Sequence, residues 1–360
     1  MQKFTCKVIA LIILISLCVV PFTACKIFDK PDEFSEGLLV TLKEDYYGPY
    51  MSVSKGKCQD EHVIIPKTYK DIRIKEIAPN GFKDYKTLKS ISLPSSIEVI
   101  SNFAFQNCIN LESINLDGNI GIIGVSAFEG CSSLKNVVIG NNVSYLHGDA
   151  FKDCISLEEI RFSNRLKNVH LNNVSGCVSL EKIYIGTNTE MFYPFASNLN
   201  SLKLIELSPD NNHFTVIDNV LYSKDGTKLI YYPSGKTGVF TVPQQVTSIA
   251  NGAFNGSMLD KVIVHKDVKT IGESAFSSAK IKSVVINGQT TIGESAFNNS
   301  NVKEVYINDL NVSMTYKTFT KSNVETVYYI GNENDWEKIF PYLSDMLYVR
   351  FSVVYNYVVE

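Results

Sequence analysis

The feature that most constrains this chain is an internal period of 23 residues. One column of the period holds phenylalanine, at Phe82, Phe105, Phe128 and Phe151. Another holds leucine, at Leu88, Leu111, Leu134, Leu157 and Leu180. After an interruption the phenylalanines resume at a step of 21 or 22 residues, at Phe254, Phe276, Phe297 and Phe319. A unit of this length cannot bury its own apolar side, so units must stack, and the period predicts a solenoid.

Each unit predicts the same local structure. The segment 134–139 ends in alternating β-branched residues, which indicates a short strand, and a second short extended piece follows at 143–146. The segment 148–154 then returns the chain, and its Ala150 and Phe151 are expected to be buried on a short helical or 3₁₀ turn. The fold class expected is therefore β-dominated, with short helical or 3₁₀ turns.

These residues carry a resemblance to a known family. The segment Ala127–Ile139, AFEGCSSLKNVVI, and the segment Ile249–Phe254, IANGAF, resemble the BspA-like leucine-rich repeat family of microbial surface proteins. The resemblance implies a leucine-rich-repeat solenoid of about ten repeats of 21–23 residues, with an inserted β-hairpin and caps at both ends. It departs at Asn173–Val174, where the family has Ala-Phe, and the pattern blurs between Gly186 and Asn200.

The resemblance and the period together divide the chain into segments. Asp225–Gly226 is the expected turn of the hairpin. A closing strand near the C-terminus is expected to shield the last sheet edge. The expected segments are a signal peptide (1–24), a lipid-anchored tether (25–37), an N-terminal β cap (38–76), a first repeat block (77–210), the β-hairpin insertion (211–245), a second repeat block (246–330) and a C-terminal cap (331–360).

The N-terminus predicts export. Lys3 and Lys7 precede an apolar run over 8–20, which is too short to span a bilayer core of roughly 30 Å. The sequence Phe22-Thr-Ala-Cys25 resembles a bacterial lipobox, with Phe22 where leucine is usual, and this implies lipidation of Cys25. The expected location is the bacterial cell surface, with the membrane contacted only through the lipid. Cleavage followed by secretion, or an uncleaved anchor, are the alternatives.

The composition of the chain limits the classes of molecule that it is expected to bind. Hydrophobic residues make up 45% of the chain, charged residues 20%, and the formal net charge is −3. That apolar content excludes a disordered chain, and the lack of a basic excess argues against nucleic acid as a partner. The partner expected is a protein or glycan macromolecule.

Four cysteines repeat at the same 23-residue step, at Cys108, Cys131, Cys154 and Cys177. Stacked windings would bring them close enough for disulfides. The same column holds Ser257, Ala279 and Ser300 later in the chain, which indicates a demand for a small buried group. Buried free thiols are therefore favoured over disulfides. Zinc is not favoured, because no CxxC or histidine accompanies them.

Motifs for catalysis are missing: the chain holds no GxSxG, HExxH or CxxC. The five histidines are interpreted as separate surface or turn residues, and the pair Glu158–Glu159 as solvated charge. We therefore expect no catalytic residue, no metal site, no cofactor and no enzyme.

Outward positions of the predicted strands supply the candidate binding surface. These positions are mostly polar in the first block, whereas in the second block one outward column is apolar or aromatic. Such side chains on an open surface indicate a protein-binding patch, and cross-strand packing that only stabilises the sheet explains them equally well. The candidate binding residues are Tyr184, Ile263, Val285, Tyr306 and Tyr328.

Three functions remain open. The family resemblance implies an adhesin for host matrix proteins or other cell-surface macromolecules. A polysaccharide-active solenoid enzyme would need several acidic residues and arginines converging on neighbouring windings, where only Glu159 and Arg161 lie close together in sequence. A spacer in the cell envelope, without a specific ligand, is the third possibility.

Overall fold

A computed structural model describes residues 34–340 and 351–358, which coil into a β-solenoid of about 13 turns. The predicted signal peptide, Cys25 and most of the predicted tether lie outside the described residues. The coil has more turns than the ten repeats expected, because the cap segments wind in the same way as the repeats. Strands are numbered along the chain, and most pair in parallel with the equivalent strand of the next winding.

Two faces carry the strands. The first face is formed by β3 (His62–Ile64), β6 (Ser90–Ser92), β8 (Ser113–Ile114), β10 (Asn136–Val138), β12 (Glu159–Arg161), β14 (Lys182–Ile185), β16 (Leu204–Leu207), β20 (Val239–Thr241), β22 (Lys261–Val264), β24 (Ser283–Ile286), β26 (Glu304–Ile307), β27 (Thr326–Tyr329) and β28 (Ser352–Val354). The second face is formed by β1 (Leu39–Asp45), β2 (Gly48–Ser54), β5 (Ile72–Ile77) with β4 (Thr68–Tyr69) beside it, β7 (Val99–Ile100), β9 (Ile122–Ile123), β11 (Tyr145–Leu146), β13 (Asn168–His170), β15 (Met191–Tyr193), β17 (Phe214–Ile217), β18 (Val220–Ser223), β19 (Lys228–Tyr231), β21 (Ser248–Ile249), β23 (Thr270–Ile271) and β25 (Thr291–Ile292).

The predicted phenylalanine column forms two stacks of buried rings, one in each repeat block. Neighbouring ring centroids from Phe82 to Phe151 lie 5.4, 5.2 and 5.0 Å apart, with nearly parallel planes. From Phe254 to Phe319 the spacing is 5.1 to 5.2 Å. Burying these apolar rings away from water, repeated from winding to winding, makes the main contribution to the stability of the coil.

The return segments differ from the prediction. A 3₁₀ helix forms only at Leu171–Val174 among the described residues, and elsewhere the returns are hydrogen-bonded turns. The reason is a column of left-handed residues one winding apart: Asn80, Phe103, Ser126 and Asp149 have φ of 55°, 59°, 51° and 61°, whereas Asn172, at the equivalent position in the 3₁₀ helix, is not left-handed. Such residues cannot continue a right-handed helix, so the chain turns at each of them.

The cysteines form the predicted column of buried free thiols, and Cys58 is a fifth. The Sγ–H of Cys131 donates to the carbonyl oxygen of Phe105 in the preceding winding, at 3.2 Å. Cys108, Cys154 and Cys177 repeat this bond with Phe82, Phe128 and Phe151, at 3.0, 3.2 and 3.1 Å. Burial raises the pKa of Cys108 to about 12 and raises those of Cys131 and Cys154 as well. The four thiols of the column therefore act as hydrogen-bond donors between windings of the core.

The interruption is a three-stranded antiparallel sheet, one strand more than the hairpin expected. Strands β17, β18 and β19 pair in sequence, and β19 then pairs in parallel with β21 to rejoin the second face. Asp225 shapes the predicted turn, since its Oδ1 accepts hydrogen bonds from Ser223 Oγ at 2.6 Å and from the Thr227 N–H at 3.1 Å. The first turn, at Asp218–Asn219, was missed by the sequence analysis and has both residues at positive φ.

Different elements form the two ends of the described coil. At the N-terminal end, β1 pairs antiparallel with β2. At the other end, helix α1 (Glu333–Ile339) begins with a capping box between Asn332 and Asp335. Phe340 and Phe351 pack on Phe319, with centroids at 6.1 and 5.0 Å, and so cover the last ring of the stack. The part of the predicted closing strand that the structure describes, β28, pairs with β27.

Candidate functional site

Four of the five predicted binding residues lie side by side on the first face. Parallel pairing in register joins β22, β24, β26 and β27, so that Ile263 faces Val285, Val285 faces Tyr306 and Tyr306 faces Tyr328. All four side chains point outward and are half-buried by their neighbours. We call these four residues the apolar column. The adjacent outward column, Lys261, Ser283, Glu304 and Thr326, is polar.

The two tyrosines of the apolar column stack closely. The ring centroids of Tyr306 and Tyr328 are 4.5 Å apart and their planes differ by 6°. The Tyr306 hydroxyl donates to Glu304 Oε2 at 2.8 Å, and burial together with this carboxylate raises the pKa of Tyr306. The two stacked rings therefore present a rigid aromatic surface.

The C-terminal segment covers part of that surface. The ring of Tyr357 lies at 5.3 Å from each of the stacked tyrosines, inclined by 60°. Its backbone N–H donates to the Tyr329 carbonyl at 3.1 Å, which fixes the segment in place. The uncovered part of the column is thus the Ile263 end, where the neighbouring strand adds Thr241 in register and the exposed Val239.

Tyr184 stands apart from the other four. It lies on β14, in register with Arg161 and Glu206, and strands β16 and β20 do not pair across the interruption. The Arg161 guanidinium lies 3.9 Å from the centre of the Tyr184 ring, which is a close cation–π contact. The structure therefore places Tyr184 in a charged environment instead of the apolar column.

That environment is a network of four charges on neighbouring windings. Lys182 Nζ lies 2.9 Å from Glu206 Oε1 and 3.4 Å from Glu159 Oε2, and Arg161 Nη1 contacts the same two carboxylates at 3.4 and 3.6 Å. The hydrogen bond from Lys182, ahead of the other contacts, lowers the pKa of Glu206. A general acid for glycoside cleavage needs a raised carboxyl pKa, and the pKa of Glu206 is shifted in the opposite direction.

The second face holds a feature that the sequence analysis missed. A cavity of about 720 Å³ opens beside β11 and β13, and it is lined by His147, His170 and His213 from three windings. His147 and His170 are one 23-residue step apart, so treating the histidines as unrelated was wrong. The His170 ring stacks on Tyr193 at 4.2 Å, and burial lowers the pKa of this imidazole.

The cavity coincides with a break in the second face. On either side of it, backbone bonds join successive windings: the Ser144 N–H donates to Gly121 at 3.0 Å, and that of Glu190 to Lys167 at 2.8 Å. Across it, no backbone hydrogen bond connects 144–147 with 167–170 in the part of the chain that the structure describes. The break adjoins the 3₁₀ helix, where the sequence also departs from the repeat.

The described residues hold neither a metal cluster nor a membrane-spanning helix. No cluster of His, Cys, Asp and Glu in residues 34–340 and 351–358 has the arrangement of a metal site. The helices among those residues are too short or too polar to cross a bilayer. Cys25, the predicted lipidation site, lies outside the described residues.

Comparison with known proteins identifies the fold and the family. The family profile described as BspA type leucine rich repeat region matches in six copies, over residues 57–172, 122–236 and 226–340. No curated protein sequence matches the chain.

Solved structures are similar in fold. The pneumococcal vaccine antigen PcpA has 20% identity and a TM-score of 0.59, with 91% of this chain and 98% of PcpA covered. A leucine rich cell surface protein from Faecalibacterium prausnitzii has 22% identity and a TM-score of 0.54, covering 87% and 98%. A leucine-rich repeat protein from Eubacterium ventriosum has 19% identity and a TM-score of 0.54, covering 82% and 83%. These identities establish the fold, and the profile establishes the family: this chain belongs to the BspA-type leucine-rich repeat proteins.

Proposed function

We propose that this protein is an exported, cell-surface adhesin that binds a partner protein through the apolar column of its first face. The observation that carries the proposal is the register that brings Ile263, Val285, Tyr306 and Tyr328 into one outward row. Protein-binding patches combine such an apolar, aromatic core with a polar rim, and the neighbouring column from Lys261 to Thr326 supplies the rim. Tyrosines fixed by stacking lose little conformational entropy when a partner binds.

The contact between Tyr357 and the apolar column affects which partners the column can bind. Because Tyr357 lies against both stacked tyrosines, a partner that uses their ring faces competes with it. The Tyr357→Ala variant should therefore bind more tightly than the parent, while a partner that contacts only the Ile263 end should bind both equally.

The binding test is a solid-phase assay of the full-length chain, purified in detergent, on fibronectin, fibrinogen, laminin and collagen. We expect saturable binding to at least one of these, and at least tenfold weaker binding by the Tyr306→Ser/Tyr328→Ser double variant. Val138→Ser is the matched control, since it removes an exposed apolar side chain from the same face in the first block. If no matrix protein binds, the envelope spacer is favoured; if the double variant binds normally, the apolar column only stabilises the sheet.

Export is supported by the lipobox-like sequence before Cys25 and by the leucine rich cell surface protein among the similar structures. Metabolic labelling with a fatty acid tests it. The parent chain should incorporate the label and the Cys25→Ser variant should not. Recovery of an unlabelled parent chain from the medium would instead indicate cleavage and secretion.

A further inference from the structure

The cavity on the second face is lined in part by polar side chains that have no partner in the protein. Among the described residues, no side-chain hydrogen bond or ion pair is formed by Arg165, Asn168, Asn188, Asn212, His147 or Asp210. Asparagines of the regular windings behave differently: the Asn119 amide, for example, donates to the Ser95 carbonyl one winding earlier, at 2.8 Å. All six residues are exposed, so water satisfies their side chains in the free protein and leaves them available to a ligand in the cavity.

The mixture of donors and acceptors defines the chemistry of that ligand. Arg165 can only donate, Asp210 can only accept, and the asparagine amides do both. An anion would meet the carboxylates of Asp210 and Glu190, although Glu190 is paired with Lys167 at 3.0 Å. An apolar ligand would leave the donors unpaired. Hydroxyl groups both donate and accept, so a polyhydroxylated molecule satisfies the whole lining.

The volume of the cavity and the aromatic side chain at its rim both suit a sugar as the ligand. A cavity of about 720 Å³ lies in the range of small-molecule sites, roughly 300–1,000 Å³. The ring of Tyr145 stands at the rim with 63% of its surface exposed, which offers a flat apolar face for the C–H side of a pyranose. The His170 ring, held by its stack on Tyr193, forms a fixed wall.

We propose that this cavity binds a short neutral oligosaccharide. Arg165 and the amides of Asn168, Asn188 and Asn212 hold the hydroxyl groups, Asp210 accepts from them, and Tyr145 covers one ring face. The site is on the opposite face of the coil from the apolar column and does not depend on it. A chain with both sites would contact a glycan and a protein at once.

The test is binding of the full-length chain, in detergent, to an array of neutral, sialylated and sulfated oligosaccharides, followed by calorimetry with the best neutral ligand. We expect a neutral oligosaccharide to bind and Arg165→Ala and Asn168→Ala to weaken it about tenfold each. Both side chains are exposed, so neither change should alter the melting temperature.

A second readout does not depend on those variants. The Hε1 resonances of His147 and His170 should shift when the neutral ligand is added, and the Tyr306→Ser/Tyr328→Ser variant should bind the ligand like the parent. Three results would overturn the proposal: binding of no glycan, binding restricted to sialylated or sulfated glycans, or neutral-glycan binding that survives both cavity substitutions. Each of them leaves the matrix-protein assay unaffected, so the two proposals fail separately.

Discussion

The column of buried cysteines predicts which side chain stabilises the coil best at the equivalent position of each winding. In the first block, Cys131 is fully buried and its thiol donates to Phe105 across the winding. In the second block the same column holds Ser300, whose Oγ is buried and has no hydrogen-bond partner. A C–O bond is shorter than a C–S bond, so the serine hydroxyl sits farther from the neighbouring backbone.

Exchanging the two residue types should therefore have opposite effects. Cys131→Ser should lower the free energy of unfolding by about 1–3 kcal/mol, the cost of a buried polar group left unpaired. Ser300→Cys should raise it by about 1 kcal/mol, because the thiol regains a partner and buries more apolar volume. Ser300→Ala is the control for the hydroxyl alone, and the structure accommodates alanine at Ala279 in the same column.

Guanidinium unfolding in reducing buffer measures these effects. Far-UV circular dichroism reports the whole coil, while fluorescence of the single tryptophan, Trp336, reports the end nearest the second block. Repeat coils can unfold winding by winding, so midpoints are compared only where the slope is unchanged. The reasoning is refuted if Cys131→Ser is as stable as the parent, or if Ser300→Cys is less stable.

Two further predictions follow from burial. None of the five described thiols should react with a water-soluble disulfide reagent at pH 8 in the native chain, because all five are buried, and all five should react in denaturant. Fast reaction of any thiol in the native state would contradict the structure. Burial lowers the pKa of His170 below its unfolded value, so the unfolded chain binds the proton first as pH falls. The free energy of unfolding should thus decrease from pH 7 to pH 5, and His170→Gln should decrease less over that window in urea titrations.

Much of the fold could be predicted because every winding buries apolar residues at equivalent positions. The positions of Phe128 and Leu134 recur at a fixed step, so one unit predicts the next, and the outward row from Ile263 to Tyr328 follows from the same register. The turn conformation could not be predicted as easily. Asn107 and Asp153 adopt left-handed backbone, which their type permits but does not require.

The candidate sites were predicted less completely, because they depend on where the repeat fails. The cavity exists because backbone hydrogen bonds are missing between the windings of Ser144 and Lys167. The amino-acid type of a residue does not indicate that such a hydrogen bond is missing. The available indication was the spacing of His147 and His170. The cover on the apolar column comes from Tyr357, which lies outside the period, so its position depends on tertiary contacts alone.

The ring stack has a consequence for how such chains change in length. In the row from Phe82 to Phe151, the two inner rings, Phe105 and Phe128, each meet an equivalent ring above and below, at nearly the same spacing and angle. Excising one whole winding would bring together two surfaces that already fit, and duplicating one would insert a surface that matches both neighbours. In-frame duplication or loss of a winding is thus structurally almost silent, and the length of the coil becomes a quantity that evolution can adjust in steps.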